Sequence, residues 1–312
     1  MTNRLLVASS FLCISLFCST VFGDIVIDGY TAATNDRFTN SASFILNGHD
    51  LSGIGQTDGG TSGSQGRWAT AISRNVIISA YHYRPGINNT IYFYPGNDPS
   101  VMPVERHVVS GQKIAGTDLY VGVLNEILPG SIKHYDFAQE QLSGTPPNGD
   151  EFFLSDAGIY QGLNSYMFGK SPFDHNSDPN DDRTSYNDQA VGRNIISGFS
   201  ENVPFAGNND NDSLLMLRET NGDPDYVQYE SIFRGGDSGG PLFVEINGEL
   251  RLLGTNAFLL TGDVGSGVNY TGNQAAAINS FINANAIPEP ASGLILLPGL
   301  AICLLKRRRQ SA

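Results

Sequence analysis

Short runs of β-branched and aromatic residues alternate with polar turns along most of the chain. Runs of this kind, bounded by Gly, Asn, Asp and Pro, are typical of β-strands. They predict strands at residues 76–80, 90–94, 104–109, 119–124, 152–154, 165–168, 191–198, 214–217, 226–229, 241–244 and 250–257. Residues 273–285 instead place Ala277, Ile278, Phe281 and Ile282 on one helical face. The pattern therefore predicts an all-β fold that ends in a helix.

The N-terminal segment departs from the strand pattern. Arg4 precedes an apolar stretch over residues 5–17, and Gly23 offers a small residue for cleavage. A basic start, an apolar core and a small residue at the end are the parts of a secretory signal peptide. We expect a signal peptide over residues 1–23; the alternative is an uncleaved membrane anchor.

The C-terminal segment, residues 287–312, contains Pro288-Glu289-Pro290, an apolar run over residues 291–305 and four basic residues at 306–309. The apolar run is short for a membrane span, and basic residues stay on the cytoplasmic side. The segment resembles the PEP-CTERM sorting tag of Gram-negative bacteria. The resemblance implies an exosortase-like partner, membrane contact only through this tail, and a body delivered to the cell envelope or secreted. The alternative is an ordinary tail anchor.

Composition narrows the class of protein further. Only 16% of the residues are charged and 36 are glycine, which favours a loop-rich β protein. The net charge of −13 argues against nucleic acid as a partner. The cysteines, Cys13, Cys18 and Cys303, lie in the two terminal segments. We therefore expect neither a disulfide nor a thiolate metal site in the body of the protein.

The strongest chemical signal is the string from Gly235 to Pro241, which reads Gly-Gly-Asp-Ser-Gly-Gly-Pro. A serine hydroxyl needs a nearby base and a site for the developing negative charge before it acts as a nucleophile. Glycines allow the sharp turn that points backbone N–H groups inward. The spacing predicts Ser238 as the nucleophile, with the N–H groups of Gly236 and Ser238 as the oxyanion hole.

Two upstream residues are suited to activate Ser238. His82 lies just beyond the buried strand at residues 76–80, where a side chain leaves the sheet. Asp118 lies at the start of the strand at residues 119–124, where its carboxylate can accept a hydrogen bond from an imidazole Nδ1–H. We predict His82 as the general base and Asp118 as the residue that orients it.

These motifs, in the order His82, Asp118, Ser238, resemble those of the trypsin/chymotrypsin-like serine peptidases. The resemblance implies two antiparallel β-barrels (chymotrypsin-like) with a C-terminal helix and an active site in the cleft between them. The first barrel would span residues 24–128 and carry His82 and Asp118. The second would span residues 129–286 and carry Ser238. The implied activity is that of an exported serine endopeptidase, which hydrolyses peptide bonds in proteins or peptides through an acyl-enzyme.

Departures from that family concern specificity and activation. Ile232 falls where trypsin-like members place an Asp, so the resemblance implies a substrate pocket for a small or apolar side chain. In many members the counterpart of Asp237 pairs with a new N-terminal ammonium. The Gly-Gly that follows such an N-terminus is absent after Ile25-Val26. We expect Asp237 to pair with an internal group, and the fold to be active without zymogen cleavage.

Two acidic stretches, residues 174–182 and 208–212, are rich in the oxygen ligands that Ca²⁺ prefers. Both lack the glycine and the final glutamate of an EF-hand, so we interpret them as solvated insertions and predict no cofactor. The main alternative function is a catalytically inactive surface binding or adhesion module on the same scaffold. A hydrolase that acts on esters is a third possibility.

Overall fold

The computed structural model describes residues 24–58, 66–148, 154–172, 187–260 and 262–287. The predicted signal peptide, the sorting tail beyond residue 287 and the acidic stretch at 174–182 lie outside these residues. The strands of the first half are β1 (Val26–Ile27), β2 (Ile54–Thr57), β3 (Trp68–Ala71), β4 (Val76–Ala80), β5 (Thr90–Phe93), β6 (Val104–Lys113) and β7 (Leu119–Leu124). Those of the second half are β8 (Asn164–Gly169), β9 (Ala190–Ile195), β10 (Gly198–Phe205), β11 (Asn208–Leu217), β12 (Ser231–Ile232), β13 (Pro241–Ile246), β14 (Glu249–Leu259) and β15 (Gly265–Tyr270). The helices are α1 (Ala32–Asn35) and α2 (Ala275–Ala284); no helix among the described residues has the length and apolarity to cross a membrane.

The first half forms a closed barrel with the antiparallel strand order β2-β3-β4-β7-β6-β5. Strand β4 is buried along its whole length. Successive side chains of a strand point to opposite faces, and here Ile77 packs into one apolar cluster while Val76 and Ile78 pack into another. Burial on both faces explains why β4 is continuously apolar rather than alternating.

The second half is a seven-stranded antiparallel sheet in the order β10-β11-β15-β14-β13-β8-β9. Strands β13 and β14 form a hairpin, in which Ile246 pairs with Glu249. Its turn residues, Asn247 and Gly248, have φ values of 54° and 82°, as a two-residue Asn-Gly hairpin turn requires. The predicted all-β fold with a C-terminal helix is confirmed. Where the resemblance implies a second barrel, the described strands of the second half pair as this seven-stranded sheet.

The two halves share one apolar cluster. Trp68 and Ile78 of the barrel lie in it together with Phe168 and Phe243 of the sheet and Ile278 of α2. Although we predicted the first barrel to begin at residue 24, β1 pairs with β12 in the second half, Val26 opposite Ile232. The N-terminal strand thus ties the start of the described chain to the segment that leads to Ser238.

Buried Arg37 also joins the halves. Its guanidinium donates hydrogen bonds to the carbonyl oxygens of Ile54 (3.2 Å), Tyr94 (3.2 Å) and Gly96 (3.0 Å). It also donates to the side-chain oxygen of Gln189, at 2.9 Å, just before β9. A fully buried cation with this many acceptors fixes the approach of the N-terminal segment, the barrel and the sheet.

Two local predictions were wrong. Residues 226–229, predicted as a strand, form none: residues 228 and 229 lie in a turn, and Tyr229 has a left-handed φ of 67°. Residues 208–212, interpreted as a solvated acidic loop, begin β11, and the side chains of Asn208 and Asn211 are buried. The second correction bears on function, because Asn211 contacts the predicted catalytic aspartate.

Candidate active site

His82 and Asp118 are brought together by the ends of β4 and β7. Strand β4 ends at Ala80, and a single 3₁₀ turn over Tyr81–Tyr83 carries His82 out of the barrel wall. The Nδ1 atom of His82 lies 2.6 Å from Oδ2 of Asp118. The backbone N–H of His82 donates to Oδ1 of the same carboxylate at 2.9 Å. Two contacts to one carboxylate fix the ring and favour the tautomer with its proton on Nδ1, which leaves Nε2 as the acceptor.

Asp118 is completely buried and is held from the second half as well as from the barrel. Its backbone N–H donates to Oδ1 of Asn211 at 2.6 Å, and Nδ2 of Asn269 lies 3.3 Å from its Oδ2. Neither asparagine was among the predicted site residues. Asn211 lies between two aspartates in the stretch that we interpreted as a solvated loop, so its residue type gave no signal of this contact. The aspartate thus receives hydrogen bonds from both halves of the molecule.

Ser238 lies in the loop between β12 and β13, and only 9% of its surface is exposed. Gly236 and Gly239 adopt φ values of 103° and 86°, which only glycine tolerates without strain. A Cβ on Gly239 would lie 2.5 Å from Oγ of Ser79, near the end of β4. The loop therefore packs closely against the residues that immediately precede His82.

Backbone N–H groups in this loop divide into two sets. Those of Asp237, Gly239 and Gly240 donate to the carbonyl oxygens of Arg234, Asn256 and Asp237 at 2.9–3.0 Å. Within the described residues the N–H groups of Gly236 and Ser238 donate to no protein acceptor. These are the two donors predicted for the oxyanion hole, and they are available to an incoming oxyanion.

The described residues form no hydrogen bond between Ser238 and His82. His82 is flanked by the ring of Phe205, whose centroid lies 5.1 Å away in an edge-on arrangement. Catalytic hydrogen bonds are often long before substrate binds and tighten in the complex. The structure thus assembles the His82–Asp118 pair and packs the Ser238 loop beside it, while the roles of the three residues stay predictions.

Asp237 is buried and finds its partners inside the protein. Its two carboxylate oxygens accept the backbone N–H groups of Lys170 (2.7 Å) and Arg234 (2.8 Å). Burial raises the pKa of Asp237 to about 8, while these bonds and the Lys170 ammonium act in the opposite direction. Burial lowers the pKa of Lys170, whose ammonium is attracted to Asp188 and Asp237. These contacts agree with the expectation of an internal partner for Asp237.

Ile232, the predicted pocket residue, is not at a surface. It is fully buried in β12, where it pairs with Val26. In this conformation its side chain has no surface to offer a substrate. The nearby Arg234 is partly exposed and forms an ion pair with Asp263 at 2.5 Å.

A cavity of about 370 Å³ adjoins His82 on the barrel side. Its walls come from the segment that follows His82, residues 84–87, and from the end of β6, residues 111–113. His82 itself lines this cavity, so the cavity adjoins the predicted general base.

No protein-family model and no curated protein matches the chain. Among solved structures, the inactive form of the Rv3671c protease of M. tuberculosis is 16% identical with a TM-score of 0.45, over 80% of this chain and 98% of that one. A mutant of human heparin binding protein (CAP37) is 14% identical with a TM-score of 0.47, over 77% and 95%. The scabies mite inactivated protease paralogue S-D1 is 11% identical with a TM-score of 0.45, over 76% and 94%. At these identities the comparisons assign neither an activity nor a substrate to this chain.

Proposed function

We propose that the protein is a serine endopeptidase that hydrolyses peptide bonds through an acyl-enzyme on Ser238. The observation that carries the proposal is the contact of 2.6 Å between Nδ1 of His82 and the buried carboxylate of Asp118. A histidine held in this way by a buried aspartate is a base whose tautomer and orientation are fixed. The proposed nucleophile lies in the serine loop that packs against the same strand end, and this loop has two N–H groups without an acceptor among the described residues.

The proposed reaction has two stages. Nε2 of His82 takes the proton from Oγ of Ser238 as Oγ attacks the scissile carbonyl carbon. The carbonyl oxygen becomes an oxyanion, which accepts hydrogen bonds from the N–H groups of Gly236 and Ser238. The imidazolium, stabilised by Asp118, then gives its proton to the leaving amine. Water repeats the sequence on the acyl-enzyme and releases the new carboxylate.

Hydrolysis of an unstructured protein such as reduced casein tests this proposal. We expect the protein, expressed without its terminal segments, to cleave casein and so generate new N-termini in it. The variants Ser238→Ala and His82→Ala should generate none. In Ser-His-Asp hydrolases, replacement of the aspartate by asparagine lowers kcat by about 10⁴-fold, and we expect a loss of the same order for Asp118→Asn. Hydrolysis of small esters but of no protein would redirect the proposal to an esterase.

An inactive binding module is the second candidate, and one observation favours it. The described residues form no hydrogen bond between Ser238 and His82. If the protein is such a module, the wild type and Ser238→Ala should bind a surface ligand with equal affinity, and neither should cleave casein. The casein assay therefore separates the two candidates.

We also propose that the body acts outside the inner membrane. The support is the sequence of the two terminal segments, residues 1–23 and 287–312. Deletion of residues 287–312 should change the distribution of the protein between the envelope and the medium, and deletion of residues 1–23 should trap it in the cytoplasm. Identical fractionation of both deletions and the full chain would contradict the proposed export and sorting.

A further inference from the structure

Three cations converge on the cavity that His82 lines. Arg67, Arg84 and Lys113 contribute to its walls, and no aspartate or glutamate does. The chain as a whole carries a net charge of −13. The Asp, Glu, Lys and Arg side chains that line this cavity are therefore all cations, contrary to the net charge of the molecule, and they lie beside the predicted general base.

The cations are held in place by groups that do not neutralise them. The guanidinium of Arg84 stacks over the ring of Tyr81 at 3.9 Å and donates to the carbonyl oxygen of Tyr81 at 2.6 Å. Arg67 donates to the carbonyl oxygen of Arg84 at 3.3 Å and lies over the ring of Tyr83 at 5.2 Å. Aromatic faces and carbonyl oxygens orient a cation but leave its charge available.

Lys113 completes the set from the end of β6. Its ammonium lies 5.2 Å from the ring of Tyr81 and donates to the side-chain oxygen of Asn208. Among the described residues, the ion pairs involve His49, His82, Arg106, Lys133, Arg218, Arg234 and Arg251. None of the three cavity cations takes part in them, so their charges are free to meet an anionic group from outside.

We propose that this cavity is a substrate subsite that binds the carboxylate side chain of an Asp or Glu residue close to the scissile bond. The inference rests on the proposed peptidase function, because the cavity adjoins the predicted general base of that reaction. A volume of about 370 Å³ accommodates one such side chain. The planar guanidinium of an arginine can donate two parallel hydrogen bonds to one carboxylate, in bidentate geometry. Screening confines the repulsion from the distant acidic surface to about 8–10 Å at moderate salt, so the local cations dominate inside the cavity.

Matched peptides test the subsite. Each fluorogenic peptide carries Glu, Gln or Lys at one position on either side of the cleaved bond, and kcat/KM is measured at low and high salt. A charge-assisted hydrogen bond contributes about 1.5–3 kcal/mol, so the wild type should prefer Glu over Gln by about tenfold or more at one position. The preference should shrink in 1 M NaCl.

Variants assign that preference to the cavity. Arg84→Gln and Lys113→Gln should each lower the Glu/Gln ratio by about three- to tenfold. Lys133→Gln is the matched control, because it removes one cation that is already paired with Glu249 at 2.5 Å and does not line this cavity. It should leave the ratio unchanged. Active-site titration with a fluorophosphonate corrects each variant for its folded fraction.

The outcomes are separable from failure of the peptidase proposal. Binding of the same peptides to Ser238→Ala, measured by fluorescence anisotropy, reports on the subsite without turnover. Suppose that Ser238→Ala binds the Glu peptide more tightly than the Gln peptide, and that Ser238→Ala/Arg84→Gln binds the two equally. This result supports the subsite even if the wild type cleaves nothing. Equal treatment of Glu and Gln at every position, in both assays, overturns the subsite, as does a preference that Arg84→Gln and Lys113→Gln leave intact.

Discussion

Asn211 links the seven-stranded sheet to the backbone of Asp118, the predicted catalytic aspartate, and its replacement by leucine isolates that link. The amide oxygen accepts the backbone N–H of Asp118 at 2.6 Å, and the amide nitrogen donates to the carbonyl oxygens of Val203 (2.9 Å) and Phe205 (3.2 Å). The side chain is 1% exposed. Leucine keeps the branched shape but removes every one of these bonds.

The expected cost follows from the groups left behind. A buried polar group without its partner costs about 1–3 kcal/mol. The N–H of Asp118 and the carbonyl of Val203 both lie in buried surroundings, so Asn211→Leu should lower the free energy of unfolding by about 2–4 kcal/mol. Because the backbone of Asp118 would lose its anchor, the His82–Asp118 contact should loosen as well. Misplacement of a catalytic group by about 1 Å costs roughly 10²-fold in rate, and we expect kcat to fall 10- to 100-fold.

The assay separates stability from activity. Urea unfolding gives the stability change, and burst titration with a fluorophosphonate gives the concentration of reactive serine, by which kcat is divided. Asn194→Leu is the control, because this fully buried amide donates to the carbonyl oxygen of Ser231 at 2.9 Å. It should lose stability but keep its kcat per titrated site. A wild-type kcat per titrated site in Asn211→Leu would refute the claim that Asn211 positions Asp118.

Three further predictions concern stability. Arg37→Met leaves three carbonyl oxygens without their donor, so urea unfolding should show a loss of about 3–5 kcal/mol; a loss below 1 kcal/mol would contradict its role as a link. Lys170→Met removes a fully buried cation whose charge is attracted to Asp188 and Asp237 and should cost about 3–5 kcal/mol in urea unfolding; a loss below about 1 kcal/mol would contradict that role. Burial raises the pKa of Glu230 to about 7, so the folded state holds a proton that the unfolded state releases, and stability should fall as pH rises from about 4.5 to 7. Glu230→Gln should flatten that decline by on the order of 2 kcal/mol; an unchanged pH profile of unfolding would contradict it.

Much of the strand framework was predictable because local burial dictates it. Strand β4 has the predicted bounds, Val76–Ala80, since a run buried on both faces must be continuously apolar. The predicted start of β7 at Leu119 is also confirmed, as are the strands predicted at 241–244 and 250–257, which lie within β13 and β14. The helix α2 covers Ala275–Ala284 within the predicted 273–285.

The strands that were missed owe their structure to neighbours distant in sequence. Strand β15 reads Gly-Ser-Gly-Val-Asn-Tyr, and glycine weakens strands when considered locally. It is buried at every position because β11 and β14 pair with it on either side. Strand β1 likewise has only two residues, and its pairing with β12 joins positions some two hundred residues apart.

The candidate site was predictable to the level of its reactive groups and no further. His82, Asp118, Gly236 and Ser238 are signalled by residue type and by their place at strand ends. The residues that hold them, above all Asn211, carry no such signal, because an asparagine in an acidic run is usually solvated. Its role arises only when β11 is placed beside the turn that carries Asp118. Long-range packing determines such supporting contacts, and the local sequence does not encode them.

The most direct test of the central claim is the site of covalent modification by a fluorophosphonate, mapped by peptide mass spectrometry. We expect one adduct per folded molecule of wild type, on Ser238, at a rate that falls by several orders of magnitude in His82→Ala. Ser238→Ala should show no adduct. Absence of an adduct on Ser238 in folded wild type, or a rate of modification that does not depend on His82, would contradict the proposed nucleophile and base.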